Sequence, residues 1–305
     1  MNPNRFLSLL AAPLLLLALP AHAALRVFAC EPEWGALSSE IGGDKVSIYT
    51  ATTGGQDPHL IQARPSLIAK LRNADILVCT GAELEIGWLP MLESQASNAK
   101  IQSGAPGAFF ATNFVNLLEA PAALDRALGD IHAAGNPHIQ TDPRRMLAVA
   151  KALGDRFEEL DPANAAIYAS RLADFTTRFQ AAIAKWQAKA APLRGTPIAV
   201  QHLSWVYMEE WLGLKRIIPL EPKIGVPPSS GYLAQVVETL QKTPAKMVIH
   251  AAYEDDRPSQ FISEKVGIPA VTLPFTVGGT DKAKDLFSLY DDTIDRLLAG
   301  AKGKS

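Results

Sequence analysis

Cysteine is almost absent from this chain: 305 residues contain only Cys30 and Cys79, with no Cys-x-x-Cys pair. Metal ligation by that pair alone lacks the usual spacing. Charge of either sign is also scarce as a run. Lys and Arg number 29 against 31 Asp and Glu, for a net charge of −2. No basic stripe points to nucleic acid, and no acidic tract points to a disordered tail. Past the amino terminus no apolar segment approaches the ~18 residues of a membrane span. Familiar catalytic signatures are missing too. Ser204 has no Gly-x-Ser-x-Gly elbow, no His-Glu-x-x-His helix exists, and neither Gly54-Gly55 nor Gly278-Gly279 has phosphate-loop spacing.

What is present begins with a leader. Arg5 precedes the apolar run Leu7 to Leu19, and Ala21-His22-Ala23 has small residues at both outer positions. This order is that of a secretory signal over residues 1–23, cleaved after Ala23, where no Cys offers a lipid attachment point. The remaining length suits two domains. Cys30 and Cys79 each close an apolar, strand-like run, Leu25–Ala29 and Ile76–Val78. In a parallel sheet those ends are neighbours, and in an exported protein they are either a disulfide or two buried thiols.

The first half alternates strands (Leu25–Ala29, Val46–Tyr49, Ile76–Cys79) with helices (Glu33–Ile41, Ser66–Asn73, Ile86–Ala96). That alternation predicts βαβ units around a parallel sheet. Asn113–Leu118 reads as a further strand and Glu119–Asn136 as a loop. Two helices follow, each opened by Asp-Pro, at Asp142-Pro143 and Asp161-Pro162. An Asp cap before a proline in the first turn satisfies the helix start. In the second, Tyr168, Leu172, Phe175, Phe179, Ile183 and Trp186 recur at helical spacing toward Ala191, predicting a rod of ~45 Å. Strands Pro197–Gln201, Ile217–Leu220, Met247–His250 and Ala270–Leu273 alternate with helices in the second half, the last helix opening at Asp281. The fold class is therefore α/β: a lobe over 24–141, a helical link over 142–194 and a second lobe over 195–305. Ligands of such sheets lie beyond the strand carboxyl ends.

Beyond the leader the histidines are His59, His132, His138, His202 and His250. Three sit at ends of elements rather than on apolar helix faces. His59 ends Gly54-Gly55-Gln56-Asp57-Pro58-His59, His138 ends Gly135-Asn136-Pro137-His138, and His202 closes a strand. Proline stiffens the first two loops. Strand ends from two lobes converge on one cleft, so the three imidazoles are candidates for a shared site.

With Asp57-Pro58-His59, Asn136-Pro137-His138, the Asp-Pro helix starts, His202 and Asp255-Asp256-Arg257-Pro258 in this order, the chain resembles the zinc- and manganese-type solute-binding proteins of bacterial ABC importers. The resemblance implies two parallel-sheet lobes joined by a rigid backbone helix, with the metal between them. It assigns His59, His138 and His202 as successive ligands and an aspartate at the start of the last helix as the fourth. Asp281 fits that description after Gly278-Gly279-Thr280, with Asp285 one turn later as its rival. In manganese-type relatives the third ligand is typically a carboxylate, so His202 turns the expectation to Zn²⁺, bound as transported ligand. The resemblance further implies a periplasmic monomer, not an enzyme, whose partner is an ABC permease. The long His-rich loop of many zinc relatives is missing, and the corresponding stretch holds only His132. Capture then rests on the fixed site, on His132 as a transient ligand, or on a periplasmic zinc chaperone. A manganese carrier and a secreted zinc hydrolase are the alternative readings.

Overall fold

A computed structural model describes residues 23–121, 129 and 132–303. Residues 1–22 of the expected leader, and part of the Glu119–Asn136 loop, lie outside the described residues.

The chain builds two four-stranded sheets, each entirely parallel. The first contains β1 (Leu25–Ala29), β2 (Val46–Thr50), β3 (Ile76–Cys79) and β4 (Ala108–Phe110) in the order β2-β1-β3-β4. The second contains β5 (Pro197–Val200), β6 (Lys215–Pro219), β7 (Met247–Ala251) and β8 (Ala270–Leu273) in the order β6-β5-β7-β8. The two orders are the same pattern, an architectural repeat that no sequence similarity within the chain betrays. Between the sheets run α4 (Pro143–Leu160) and α5 (Ala165–Lys189). Asp142 caps α4 by accepting the Arg144 N–H at 2.8 Å. At 25 residues α5 is about 37 Å long, shorter than the apolar stripe predicts, because Pro162–Asn164 and Ala191–Leu193 form 3₁₀ turns.

The expected strand Asn113–Leu118 is not formed. β4 ends at Phe110, and Ala111–Phe114 turns as a 3₁₀ helix that stacks Phe114 on Phe109, centroids 4.7 Å apart. The last helix, α9 (Leu286–Ala301), likewise starts later than Asp281, at a capping box in which Asp285 accepts the Ser288 N–H.

Each sheet is buried on both faces. In the first, Val27, Ala29, Ile76 and Val78 point into a central core, while Phe28, Leu77 and Cys79 meet Leu67 and Leu71 of α2 (Pro65–Arg72) and Leu92 of α3 (Leu89–Ala96). This period of two follows from the pleat. The central core does not stop at the lobe. It runs from β1 and α1 (Pro32–Gly42) through α4, α5 and α9 to Ile198 and Ile249 of the second sheet. Its spine is aromatic: Phe179 meets Trp186 at 5.4 Å, and Trp186 meets Tyr290 at 5.0 Å while donating to Asp291. In the second lobe α6 (Val206–Leu212) lies on the inner side, and α7 (Ser230–Lys242) and α8 (Arg257–Val266) cover the outer face.

Polar groups are buried near the lobe junction as well. Glu33 of α1 accepts a hydrogen bond from Thr276, which follows β8 in the other lobe. Burial raises the Glu33 carboxyl from 4.5 to about 7, against the stabilising Thr276 bond.

Two consequences are measurable. Because one core serves both lobes, the metal-free protein unfolds in a single transition, with calorimetric and van't Hoff enthalpies equal. Trp186→Ala lowers its stability by about 3–5 kcal/mol in urea titrations without splitting that transition. Separately, the folded state binds the Glu33 proton more tightly than the unfolded chain does. Glu33 therefore contributes most favourably below pH ~4.5, and that contribution is lost as pH rises toward 7. Between pH 5 and 8 wild type loses on the order of 2–3 kcal/mol relative to Glu33→Gln, measured as paired denaturation curves.

Candidate metal centre

Local chain geometry aims each histidine. In Asp57-Pro58-His59 the Asp57 Oδ1 accepts the His59 backbone N–H at 3.0 Å and His59 Nδ1 at 2.8 Å. Asn136-Pro137-His138 repeats the device: Asn136 Oδ1 accepts the His138 N–H at 3.1 Å and Nδ1 at 2.8 Å. An Asx side chain reaching two residues ahead closes a turn, and the intervening proline fixes it. His202, two residues past β5, reaches a distant partner instead. Its Nδ1 lies 2.7 Å from Glu221 Oε2, which also accepts the Gly225 N–H at 2.9 Å.

An ionised carboxylate or a carbonyl oxygen only accepts, so Nδ1 carries the proton in all three rings and Nε2 keeps its lone pair. Burial opposes ionisation of Asp57, but the hydrogen bonds and charge of His59 hold its carboxyl below the usual range. For His138, burial and the three neighbouring imidazoles push the ring's pKa far down, so it is neutral. A neutral imidazole is the metal-binding form.

The three rings form a near-equilateral triangle. Centroids are 5.4 Å apart for His59 and His138, 5.8 Å for His59 and His202, and 5.6 Å for His138 and His202. One nitrogen from each lies within 4.8 Å of the other two. Tetrahedral Zn²⁺ at 2.0–2.1 Å from each nitrogen needs edges of about 3.3 Å, inside the 4.8 Å that bounds these separations. The Nε2 atoms of His138 and His202 are buried without a hydrogen-bond partner among the described residues. Such orphaned acceptors facing one point fit a cation.

Asp281 is not brought to this triangle. The loop after β8 folds on itself, Gly278 N–H donating to Ala283 O at 2.6 Å, and leaves Asp281 exposed. Asp285 is occupied as the cap of α9. The same loop instead delivers Phe275, whose ring stands 5.7 Å from His138 and 5.7 Å from Trp205. The glycine pairs acquire a reason here. A Cβ on Gly54 would lie 2.3 Å from the Gly279 nitrogen, so the loop leading to His59 and the loop after β8 touch backbone to backbone.

His132 does join the site. Buried, it stands 5.6 Å from His59 and 6.2 Å from His138 between ring centroids. It lines a cavity of about 260 Å³ with Glu119, Asn136, His138 and His202. A larger cavity of about 690 Å³ meets His59 and His202 among Asp57, Glu221 and Glu254. His250 is elsewhere, on β7, bonded to Thr272 at 2.9 Å. Sequence alone did not reveal Glu221, since nothing in the spacing joins it to His202. Asn136 had a signal, the Asx-Pro-His spacing shared with Asp57.

Comparison with known proteins agrees with this fold. Residues 27–300 match the ZnuA family, described as zinc-uptake complex component A, periplasmic. The high-affinity zinc uptake system protein ZnuA of Paracoccus denitrificans is 26% identical over 282 residues, covering 81% of this chain and 82% of its own. The manganese ABC transporter substrate-binding lipoprotein PsaA of Streptococcus pneumoniae is 21% identical over 281 residues, covering 90% and 89%. Among solved structures, a crystal structure of ZnuA superposes with TM-score 0.74 at 23% identity, over 91% of this chain and 99% of that one. A manganese-bound periplasmic metal-binding protein from Candidatus Liberibacter asiaticus gives 0.73 at 16% identity, over 90% and 98%. With two like lobes, a spanning helix and donors converging between them, this chain belongs to the ZnuA family, metal-binding solute-binding proteins of ABC importers and not enzymes.

Proposed function

We propose that this protein is a periplasmic, high-affinity carrier of Zn²⁺ that hands the ion to the permease of an ABC importer. The observation that carries this reading is the donor set: three imidazoles, each held at Nδ1, with no carboxylate oxygen joining their cluster among the described residues. Nitrogen donors in a compact shell suit Zn²⁺, whereas Mn²⁺ prefers more oxygen and a larger shell. His132 supplies the fourth donor in place of Asp281, swinging in from 5.6 Å beside His59. A shell filled by four protein nitrogens leaves no position for a metal-bound water, which fits a carrier rather than a hydrolase.

The carboxylates stand one bond behind the ion. Asp57 and Glu221 bond the Nδ1 atoms and so set ring orientation and basicity. Their charge offsets the dication without occupying its shell. Phe275 and Trp205 close the inner side and keep water from competing.

Chelator-competition titration of the demetallated mature protein tests the assignment. Wild type binds one Zn²⁺ far more tightly than Mn²⁺; equal affinities would overturn the zinc reading. His138→Ala and His202→Ala each cost more than the roughly 10–100-fold expected for losing a supporting partner, and Glu221→Gln costs an amount within that range. Asp281→Ala leaves affinity unchanged, while His132→Ala weakens it. The reverse pattern for those last two would restore the aspartate as fourth ligand.

A further inference from the structure

A second set of metal-capable groups lies away from the histidines. Ala29 of β1 pairs with Val78 of β3, so the next residues, Cys30 just past β1 and Cys79 at the end of β3, stand side by side with Cα atoms 4.8 Å apart. They form a disulfide, resolving the choice that sequence left open, and both are fully buried. Glu85 folds back over them from the turn after β3. Its carboxylate accepts the Thr80 N–H at 2.7 Å and the Gly81 N–H at 3.0 Å. Each sulfur and one Glu85 oxygen lie within 4.8 Å of one another.

A separate observation concerns what surrounds this trio. Glu31, beside Cys30, is 3% exposed; its Oε2 accepts from Thr80 Oγ1 at 3.1 Å, and its Oε1 is buried with no donor among the described residues. Glu31 lies close enough to Glu85 for burial and the Glu85 charge to push its carboxyl well up. Glu33 adds a third buried carboxyl, and no ion pair among the described residues reaches any of the three. With no protein cation nearby among the described residues, burial keeps these carboxyls protonated, and a bound cation would displace those protons.

We propose that in the dithiol form of this chain Cys30, Cys79 and Glu85, backed by Glu31, bind a second thiophilic divalent ion such as Zn²⁺, and that the disulfide is the oxidised, metal-free form of that site. Thiolates bind Zn²⁺ at about 2.3 Å and carboxylates at 2.0–2.2 Å, so donors on one ion stand about 3.5 Å apart, inside the 4.8 Å that bounds this trio. A trialkylphosphine opens the S–S bond by taking one oxygen from water, becoming the phosphine oxide and leaving two thiols. Binding then displaces both thiol protons, and any proton on Glu85, to solvent. Oxidation reverses the sequence. The acceptor is a small-molecule disulfide: one pair of sulfur electrons becomes the Cys30–Cys79 bond, two electrons cleave the added disulfide to two thiolates, and the ion leaves. In an oxidising compartment the disulfide form is the resting one.

Anaerobic Co²⁺ titration of the full mature chain, reduced with a trialkylphosphine, tests this. The reduced wild type takes up two equivalents and develops a sulfur-to-cobalt charge-transfer band in the near ultraviolet, while the oxidised chain takes up one and shows none. Cys30→Ser abolishes the band, Glu85→Gln weakens the second equivalent by ~10-fold or more, and His202→Ala keeps the band while losing the first equivalent. A reduced wild type that binds one equivalent with no charge-transfer band overturns the proposal. So does a reduced chain whose circular dichroism shows the fold is lost, because the site then has no folded dithiol form.

Discussion

Everything at the metal centre depends on one hydrogen bond made three times: an oxygen acceptor takes the Nδ1 proton of an imidazole and leaves Nε2 to face inward. Without it a histidine on a loop has two tautomers and a free χ2, and three such residues would converge only at an entropic cost. Asp57 and Asn136 make the bond from two residues upstream, where the same oxygen also holds the histidine's backbone N–H. The turn and the ring are thereby fixed by one side chain. Glu221 does the work for His202 across 19 residues, and Gly225 holds Glu221 in turn.

Orientation of the rings is useful only if the loops that carry them hold their spacing across two lobes. That spacing comes from the core. Side chains from both sheets meet α4, α5 and α9 in a single apolar cluster, and Tyr290 of α9 donates to Gln140 O, two residues past His138, at 2.7 Å. Wide separation of the lobes would open this cluster and expose Trp186, Phe179 and Tyr290 to water, a loss of several kcal/mol by area alone. Small loop movements cost far less. Gly54 against Gly279 and Glu33 against Thr276 tie the two cleft walls by a few contacts, and the His132 side of the site is reached through a cavity rather than packed. Movement that admits or frees an ion therefore belongs to loops over a rigid frame.

How much of this could be read beforehand follows from which signals are local. Strands and helices of both lobes are legible because each carries its own periodicity, and the three histidines because two of them share Asx-Pro-His. β4 escapes because three residues, Ala108–Phe110, carry no period, while the more apolar Asn113–Leu118 imitates a strand. Asp281 misleads for a related reason. A glycine pair followed by Asp before an apolar helix looks the same whether the Asp caps a turn, ligates a metal or does neither. The glycines are there for contact with Gly54, and the capping role passes to Asp285. Glu221 and the Cys30–Cys79–Glu85 cluster depend on which strand ends are neighbours, and only the folded topology determines that.

The displacement of Asp281 bears on selectivity. A carboxylate in the shell would add a hard oxygen and a full negative charge at the ion, both of which favour Mn²⁺. Here the position next to His138 is taken by Phe275, held with φ +62 in a conformation that a large side chain adopts only under constraint from its surroundings. Its ring packs edge-on against Trp205 and Tyr253, with centroids 5.7 and 5.2 Å away. With an aromatic wall on that side, His132 brings a further nitrogen from another, and a cavity lined by Asp57, Glu221 and Glu254 meets His59 and His202. Asp57 and Glu221 bring carboxylate charge to the site through imidazole rings, where it strengthens nitrogen donors without offering an oxygen. Under the proposed zinc role, selectivity rests on what Phe275 keeps out as well as on the histidines themselves.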